Sequence, residues 1–428
     1  MPEWPFLRGP RFGPNAWLLL LTSAGGAISV GVFGVVFNLY IVSLGVSVGG
    51  LGEILGAGTL GLALAVVPAG MLADAWGRKR TLVLGGVLNG AATVAQCLVS
   101  QVALIAGCGF LAGLGGAAIA VVALPMLVEA AHPQQRNAVL AAGGALALLG
   151  SATGSLLGGR LPNWLGSALA IAPHAALAYR WTLLLSLAVA GVTAVPLLPW
   201  YRDVHRPLPW RRSVHGLFNP TWRRLAWRVT LVVGTLGLGA GFVIPYLNLY
   251  FTRQLRVSVV AFGILSAVSQ LVLGLATLLA GLVAARGGVV LLVVVTQTLA
   301  LALLLLLAAA PAAPVAMAAF VLRQALMDMS IPVAQGWLLG LAAPELRATT
   351  ASLLLIAEQG PWAITSAVGG ALQQRAGFLP GFLLTALFYL LSVILWILLF
   401  RGPLPVGARG SGQFGILERG NSQEAPIE

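Results

Sequence analysis

Three ionisable residues lie inside apolar stretches in the second half of the chain: Arg323, Asp328 and Glu358. The 428-residue chain is 59% hydrophobic and only 8% charged, so charges in such stretches are rare. A charge at membrane depth is costly and usually serves a function. A carboxyl group there can take up and release a proton, which makes Asp328 and Glu358 the candidate proton-coupling groups. The alternative is a buried structural ion pair with Arg323.

The residues around Asp328 predict a polar face on one helix. Gln324, Asp328 and Gln335 are spaced at i, i+4 and i+11, which places them on one side of a helix. That side would line a cavity. Arg323 lies five residues before Asp328, on another face, where Glu358 is its candidate partner.

Two prolines are placed to loosen helices next to these acids. Pro332 has no N–H to donate to the carbonyl of Asp328, and Pro361 likewise leaves the carbonyl of Ala357 without its helical donor. Ala357 is the neighbour of Glu358. Irregular backbone inside a membrane is tolerated where it is buried in protein or lines a cavity. Both prolines would therefore loosen a helix near an acidic group.

Long apolar stretches organise the whole chain. Segments of roughly 20 residues, long enough to cross a bilayer as helices, recur from Ala16 to Phe400. With a mean hydropathy of +0.96, the chain is predicted to be an all-α polytopic membrane protein. We predict twelve transmembrane helices, near residues 17–44, 51–73, 81–99, 103–128, 138–159, 180–199, 228–251, 258–283, 289–308, 314–340, 349–374 and 379–400.

The net charge of +13 reflects topology rather than a nucleic-acid partner. If the N-terminus is cytoplasmic, the inner segments carry 18 of the 24 Lys and Arg residues. Outer loops carry few, among them Arg160 and Arg180. This bias is the one that the positive-inside rule predicts. We therefore expect a multi-pass protein of the cell membrane with both termini cytoplasmic, in contact with the lipid bilayer and not with nucleic acid.

The chain reads as two copies of one half. Three pairs of segments match in residue type at almost one offset, 211 or 210 residues: 70–77 with 281–288, 133–136 with 344–347, and 38–40 with 248–250. An even number of helices in each copy makes the copies parallel in the membrane. In transporters built from repeats, the substrate site lies near the midplane between them.

The repeat predicts two pseudo-symmetric six-helix bundles. We place the first bundle at residues 1–200 and the second at 228–400. A cytoplasmic basic linker at 201–227 joins them, and a polar cytoplasmic tail at 401–428 is predicted to be disordered. Interleaved arginine and tryptophan in the linker are typical of a segment on the anionic inner leaflet.

One glutamine and one set of polar and aromatic residues border the predicted path through the membrane. Gln270, in the middle of span eight, is a further cavity candidate. The set occurs toward the outer ends of spans one and seven, where it forms either an outer gate or an interfacial aromatic belt. Its members are Asn38, Tyr40, Tyr246, Asn248 and Tyr250.

The segment GMLADAWGRKR, between spans two and three, places an aspartate and three basic residues between apolar runs. A glycine allows close helix approach or a tight turn, and an aspartate at a helix end can accept hydrogen bonds from the other bundle. The segment resembles the signature loop of the major facilitator superfamily. The resemblance implies twelve helices, a rocker-like cycle and an inner-gate role for one set of residues: Gly70, Asp74, Gly77, Arg78, Arg80, Glu129, Arg136 and Arg347. For the basic cluster at 78–80 the alternative is a simple topology anchor, and for the last three residues it is simple interfacial charge.

Two departures separate the chain from the proton-driven drug exporters of that superfamily. Such exporters carry an arginine in span four, where this chain has only the glycine-rich run at 107–118. They also carry a Gly-Pro pair in span five, which here occurs only in span eleven, at Gly360 and Pro361.

We predict a secondary active transporter that moves a small organic solute by alternating access, coupled to protons, with efflux favoured. The alternatives are an uncoupled facilitator and a non-transporting receptor or scaffold with the same fold. We expect a monomer that is not an enzyme and needs no metal or cofactor. The sequence contains no recognisable catalytic triad, metal cluster or phosphate-binding loop.

Overall fold

The computed structural model describes residues 12–172, 175–202, 220–310, 312–343 and 346–400. Most of the predicted linker and the whole predicted tail lie outside these residues. Within the described ranges the chain forms twelve long helices: α1 (Pro14–Ser43), α2 (Val48–Trp76), α3 (Arg78–Leu98), α4 (Val102–Glu129), α5 (Arg136–Ala168), α6 (Ala176–Ala194), α7 (Pro220–Val243), α8 (Val259–Gly287), α9 (Val289–Ala308), α10 (Ala313–Met329), α11 (Arg347–Ala376) and α12 (Leu379–Phe400).

Two of these helices continue as shorter pieces. The chain after α7 runs through a 3-10 turn (Ile244–Tyr246), a short helical turn (Leu247–Leu249) and a π-helical turn (Tyr250–Gln254). α10 is interrupted at Ser330 and resumes as Ile331–Leu341.

Composition and burial agree with a membrane-spanning protein. Counted with their continuations, eleven helices of the described chain are long and apolar enough to cross a membrane. α11 is the exception because Glu358 and Gln359 interrupt its apolar run. Large apolar side chains cover the exterior: Leu278 is 73% exposed and Leu398 is 71% exposed. Such a surface needs lipid around it.

The internal repeat is present in the structure. Ser47 caps α2 by accepting from Gly50 N at 3.1 Å, and its equivalent Ser258 caps α8 at the same distance. Gly77 and Gly288 end α2 and α8 with φ of 96° and 82°, values that favour glycine.

Equivalent tyrosines extend the repeat into the buried packing. Tyr40 donates to the carbonyl of Cys97 at 2.7 Å, and Tyr250 donates to the carbonyl of Leu307 at 2.8 Å. Both bonds join residues 57 apart. The two halves therefore share local caps and also long-range contacts.

Two helix pairs join the halves. α2 packs against α11, and α5 packs against α8. These pairs are equivalent under the repeat, since α8 corresponds to α2 and α11 to α5. We call the face of the bundle at Pro14, Gly77 and Phe400 the terminus side, and the face at Gly45 and Gly377 the opposite side.

Some predicted boundaries are wrong. α7 begins at Pro220, within the segment predicted to be linker, because Trp222 and Leu225 face the bundle while Arg223 and Arg224 stay exposed. The Trp222 indole donates to Thr350 Oγ1 at 3.1 Å, which holds this turn against α11.

Two arginines predicted to lie in outer loops belong to helices. Arg160 lies in α5, which runs to Ala168, and Arg180 lies in the first turns of α6. Polar residues near these helix ends interrupt the apolar pattern, so the sequence did not indicate that the helices continue.

Candidate functional site

A cavity of about 330 Å³ lies between the two halves. Helices α1 and α5 of the first half line it together with α7, α8, α10, α11 and α12 of the second. Its polar lining consists of Ser151, Ser155, Asn248, Ser266, Gln270, Arg323, Gln324, Asp328, Glu358 and Tyr389. Both bundles therefore contribute to one polar chamber, although most of its polar groups come from the second.

The three ionisable residues singled out by the sequence all line this cavity. Arg323 is 4% exposed, and its Nη2 donates to Tyr389 Oη at 3.3 Å. Asp328 lies close enough to interact electrostatically with both Arg323 and Glu358. No carboxylate oxygen of the described residues lies within 4 Å of the Arg323 guanidinium.

The predicted pairing of Arg323 with Glu358 is therefore absent as a contact ion pair. The physical reason is the direction of the arginine, which reaches toward the ring of Tyr389 on α12, with Cζ 6.0 Å from the ring centroid. The sequence also predicts Arg323 on a helix face away from Asp328, yet both residues line the cavity.

The backbone next to Asp328 is irregular, and that next to Glu358 is closely packed. α10 breaks at Ser330, two residues after Asp328, where Pro332 cannot continue the hydrogen-bond ladder. Pro361 instead stays inside the continuous helix α11. There a Cβ at Gly237 would overlap the carbonyl oxygen of Glu358, so α7 and α11 touch backbone to backbone.

Gln270 and Gln324 line the cavity as well. Gln270 Nε2 donates to Ser151 Oγ at 3.0 Å and so links α8 to α5 across the two halves. Gln335, predicted to share a face with Gln324, is not among the lining residues because it lies beyond the break in α10.

The polar and aromatic set near spans one and seven is buried between the cavity and the opposite side. We call this set the plug; its members are Asn38, Tyr40, Tyr246, Asn248 and Tyr250. Tyr40 and Tyr246 are 0% exposed and Tyr250 is 2% exposed, which excludes an interfacial belt. Asn38 Nδ2 donates to Asn248 Oδ1 at 2.8 Å and to the carbonyl of Pro245 at 2.6 Å. Asn38 and Asn248 are equivalent residues of the repeat, so they pair across its pseudo-symmetry axis.

Replacing Asn38 by alanine is expected to loosen this plug. The change removes both bonds, so the carbonyl of Pro245 loses this donor, whereas Asn248 Oδ1 still accepts from Leu249 N. A buried acceptor left without its donor costs about 1–3 kcal/mol. Thermal unfolding of the purified protein measures the loss. Asn89→Ala is the matched control, because Asn89 Nδ2 donates to the carbonyl of Ala112 at 2.8 Å within the first half. Only the Asn38 variant should also change distances between the halves; equal distances in both variants would contradict the role of the plug.

Glycine contacts seal the opposite side. A Cβ at Gly263 on α8 would lie 2.8 Å from Gly159 Cα on α5, and a Cβ at Gly370 on α11 would lie 2.8 Å from Gly52 Cα on α2. Gly263 and Gly370 repeat Gly52 and Gly159 at an offset of 211. The same glycine contact therefore occurs in both helix pairs that join the halves. Because glycine has no side chain, the two helix backbones can approach closely there.

On the terminus side, the loop between α2 and α3 is held within its own half. Arg78 Nη1 lies 2.6 Å from Glu129 Oε1 at the end of α4. Asp74 is half-buried and forms neither a hydrogen bond nor an ion pair with the residues that the structure describes. The inter-half latch expected of Asp74 is thus not formed in this conformation.

The other residues expected at this gate lie around the same ends. Gly77 supplies the turn, whereas a Cβ at Gly70 would lie 3.7 Å from Val121 Cγ1, an ordinary contact, so close helix approach does not require Gly70. Exposed positions at helix starts are occupied by Arg80, Arg136 and Arg347.

Breaking the Arg78–Glu129 pair is expected to change stability little. Its side chains are 18% and 34% exposed, and ion pairs in contact with solvent contribute about 0–1 kcal/mol. Glu129→Gln should therefore lower the free energy of unfolding by less than about 1 kcal/mol, measured by thermal unfolding beside Glu53→Gln. A loss several times larger would mean that the pair holds the loop more tightly than its exposure suggests.

Sequence reasoning missed the aromatic lining. Phe262, Phe320, Trp362 and Tyr389 border the cavity, but each is one aromatic residue among many in apolar helices. Only Tyr389 carried a signal, since a hydroxyl in a helix as apolar as α12 needs a buried partner.

Comparisons with known proteins agree with this architecture. A family model described as Major Facilitator Superfamily matches residues 19–234. Multidrug resistance protein Stp of Mycobacterium tuberculosis (strain CDC 1551 / Oshkosh) is 34% identical over 126 residues, which are 29% of this chain and 23% of that protein. The protein of the same name from strain ATCC 25618 / H37Rv matches to the same extent. The match thus spans less than a quarter of these relatives.

Solved structures match over nearly the whole chain. A bacterial homolog of the human lysosomal transporter Spinster, inward-facing and unoccupied, has a TM-score of 0.69 at 17% identity and covers 90% of this chain and 96% of its own. The nucleoside transporter NupG, in a mutant form, has a TM-score of 0.69 at 12% identity and covers 90% of this chain and 100% of its own. At these identities the likeness shows the fold.

Proposed function

Since the chain belongs to the Major Facilitator Superfamily, we propose that it is a secondary active transporter of a small organic solute, coupled to protons. The solute binds in the cavity between the halves, and alternating access exposes that cavity to one side of the membrane at a time. The observation that carries the proposal is the pair of acids, Asp328 and Glu358, in the wall of a cavity between two repeated bundles.

We propose that in this conformation the cavity is open toward the terminus side, and the contacts on the two sides support this. Buried asparagines and glycine contacts close the opposite side, while Asp74 on the terminus side is unpaired among the described residues. In the other state, Asp74 would accept hydrogen bonds from the second half and the glycine contacts would separate. Because packed interfaces are bistable, such rocking passes between two discrete arrangements.

The acids suit proton coupling because a proton and a cationic group can occupy the same carboxylate in turn. Binding one would then release the other, which links solute movement to the proton gradient. We propose efflux across the cell membrane, with both termini cytoplasmic and the chain acting as a monomer. The partial likeness to a protein named for multidrug resistance supports that direction.

Proteoliposomes test transport itself. Purified protein is reconstituted, and the movement of a chemically diverse panel of labelled solutes is compared with protein-free liposomes. Solutes that raise the unfolding temperature are tested first, since a ligand that binds the folded state stabilises it. Flux of at least one solute is the expected result. Stabilisation without flux of any solute would favour a receptor with a transporter fold.

A further inference from the structure

We infer that Arg323 is the anion-binding subsite of the cavity and that the solute is an aromatic zwitterion. Its anionic group binds Arg323, and its cationic group faces Asp328 and Glu358. This inference rests on the proposed transport function and adds the class of solute.

The guanidinium of Arg323 is incompletely satisfied. It is 4% exposed and lines the cavity, yet its one hydrogen bond among the described residues is to Tyr389 at 3.3 Å. Its Nε has no hydrogen-bond partner there. A buried charge of this kind is costly unless paired, and a guanidinium has five N–H donors in a planar fork that matches a carboxylate.

The acids of the same cavity do not meet this need. Asp328 and Glu358 line the chamber, but neither places a carboxylate oxygen within 4 Å of a basic group of the described residues. Opposite charges are therefore held apart in one chamber instead of being paired with each other. A ligand with a negative and a positive end can satisfy both.

The charge balance points to a solute without net charge. With both acids ionised, the three groups sum to one negative charge; with one acid protonated they sum to zero. The protonated chamber thus matches a zwitterion, whereas a simple cation would leave Arg323 unpaired and a simple anion would face the remaining carboxylate.

The apolar part of the lining accommodates a ring system between the two charged ends. Phe262, Phe320 and Trp362 border the cavity together with Tyr389. Aromatic walls favour planar apolar bodies, and about 330 Å³ is at the lower end of cavities that hold small organic ligands.

Matched probes test the assignment. The first series is tryptophan, its methyl ester and indole-3-propionate; the second is norfloxacin and its methyl ester. Binding to the purified full-length protein is measured at neutral pH by thermal stabilisation and isothermal titration. The free zwitterion of at least one series is expected to bind about tenfold to a hundredfold more tightly than its ester, the range expected for a hydrogen-bonded charge pair.

Variants locate the effect at Arg323. In Arg323→Gln the zwitterion should bind no better than its ester, because the group that pairs with its carboxylate is gone; Arg323→Lys should restore part of the preference. If the glutamine variant does not fold, the acid–ester comparison in the wild-type protein decides alone.

Three outcomes would overturn the assignment: esters that bind as tightly as the free acids, an acid–ester preference that persists in Arg323→Gln, or no binding by either series. Flux of other solutes in proteoliposomes would in each case leave the transport function standing, whereas absence of flux for every solute would remove that function as well.

Discussion

Replacing Asp328 by asparagine or Glu358 by glutamine is expected to abolish solute accumulation driven by a pH gradient while leaving solute exchange intact. Each change keeps the size of the side chain and removes its ability to carry a proton. If one proton moves per solute, each pH unit of gradient corresponds to about 1.4 kcal/mol and sustains about a tenfold concentration ratio. A variant that has lost coupling should equilibrate its solute to a ratio near one.

The measurement compares gradient-driven uptake with exchange in the same proteoliposomes. Glu53→Gln is the matched control, because Glu53 is an exposed carboxylate at the start of α2 and lies away from the cavity. It should accumulate solute as the wild-type protein does. Undiminished accumulation in both cavity variants would remove these acids from the coupling mechanism. Loss of exchange together with accumulation would instead indicate a role in solute binding.

Placing an alanine at Gly263 is expected to shift the protein toward the state that is open on the opposite side. Its Cβ would lie 2.6 Å from the carbonyl oxygen of Ser155 and 2.8 Å from Gly159 Cα, so the sealed arrangement cannot hold it without moving α5 away from α8. Overpacking of this kind costs about 1–3 kcal/mol. The population ratio of the two states should therefore change by about 5-fold to 150-fold.

Spin-label distances across the opposite side measure this shift. Labels at Ser100 and Gln254, exposed positions in different halves, are introduced into a protein without its two native cysteines. The variant should show a larger population of long distances than the unsubstituted protein. Gly281→Ala is the control, because nothing lies within 4 Å of a Cβ at this position of the same helix. If both variants give the unsubstituted distribution, the glycine contact does not govern closure.

Much of the architecture could be predicted because it depends on residues within short segments of the chain. Helix caps at Ser47 and Ser258 and turns at Gly77 and Gly288 recur at one offset, and the structure confirms the repeat that they indicate. Apolar length predicted the helices for the same reason. The start of α7 at Pro220 was missed, because arginines on its exposed face conceal the helical pattern.

The site was predictable only in part, because its geometry depends on contacts between distant segments. An acidic residue in an apolar helix, such as Glu358, indicates a functional site because burying a charge in the membrane is energetically costly. The direction of Arg323 toward Tyr389, 66 residues away, depends on how α10 and α12 are placed around the cavity. The meeting of Gly159 with Gly263 likewise depends on the packing of the two bundles and is not encoded in either segment alone.

The central claim, proton-coupled transport through the cavity between the halves, is tested most directly by imposing a pH gradient on proteoliposomes that contain the wild-type protein. A solute identified by binding is followed together with the internal pH. Coupled transport predicts accumulation that reverses when the gradient is reversed, moves protons in step with the solute, and collapses when a protonophore is added. Solute flux of the same rate and final level with the gradient, against it and without it would contradict the claim.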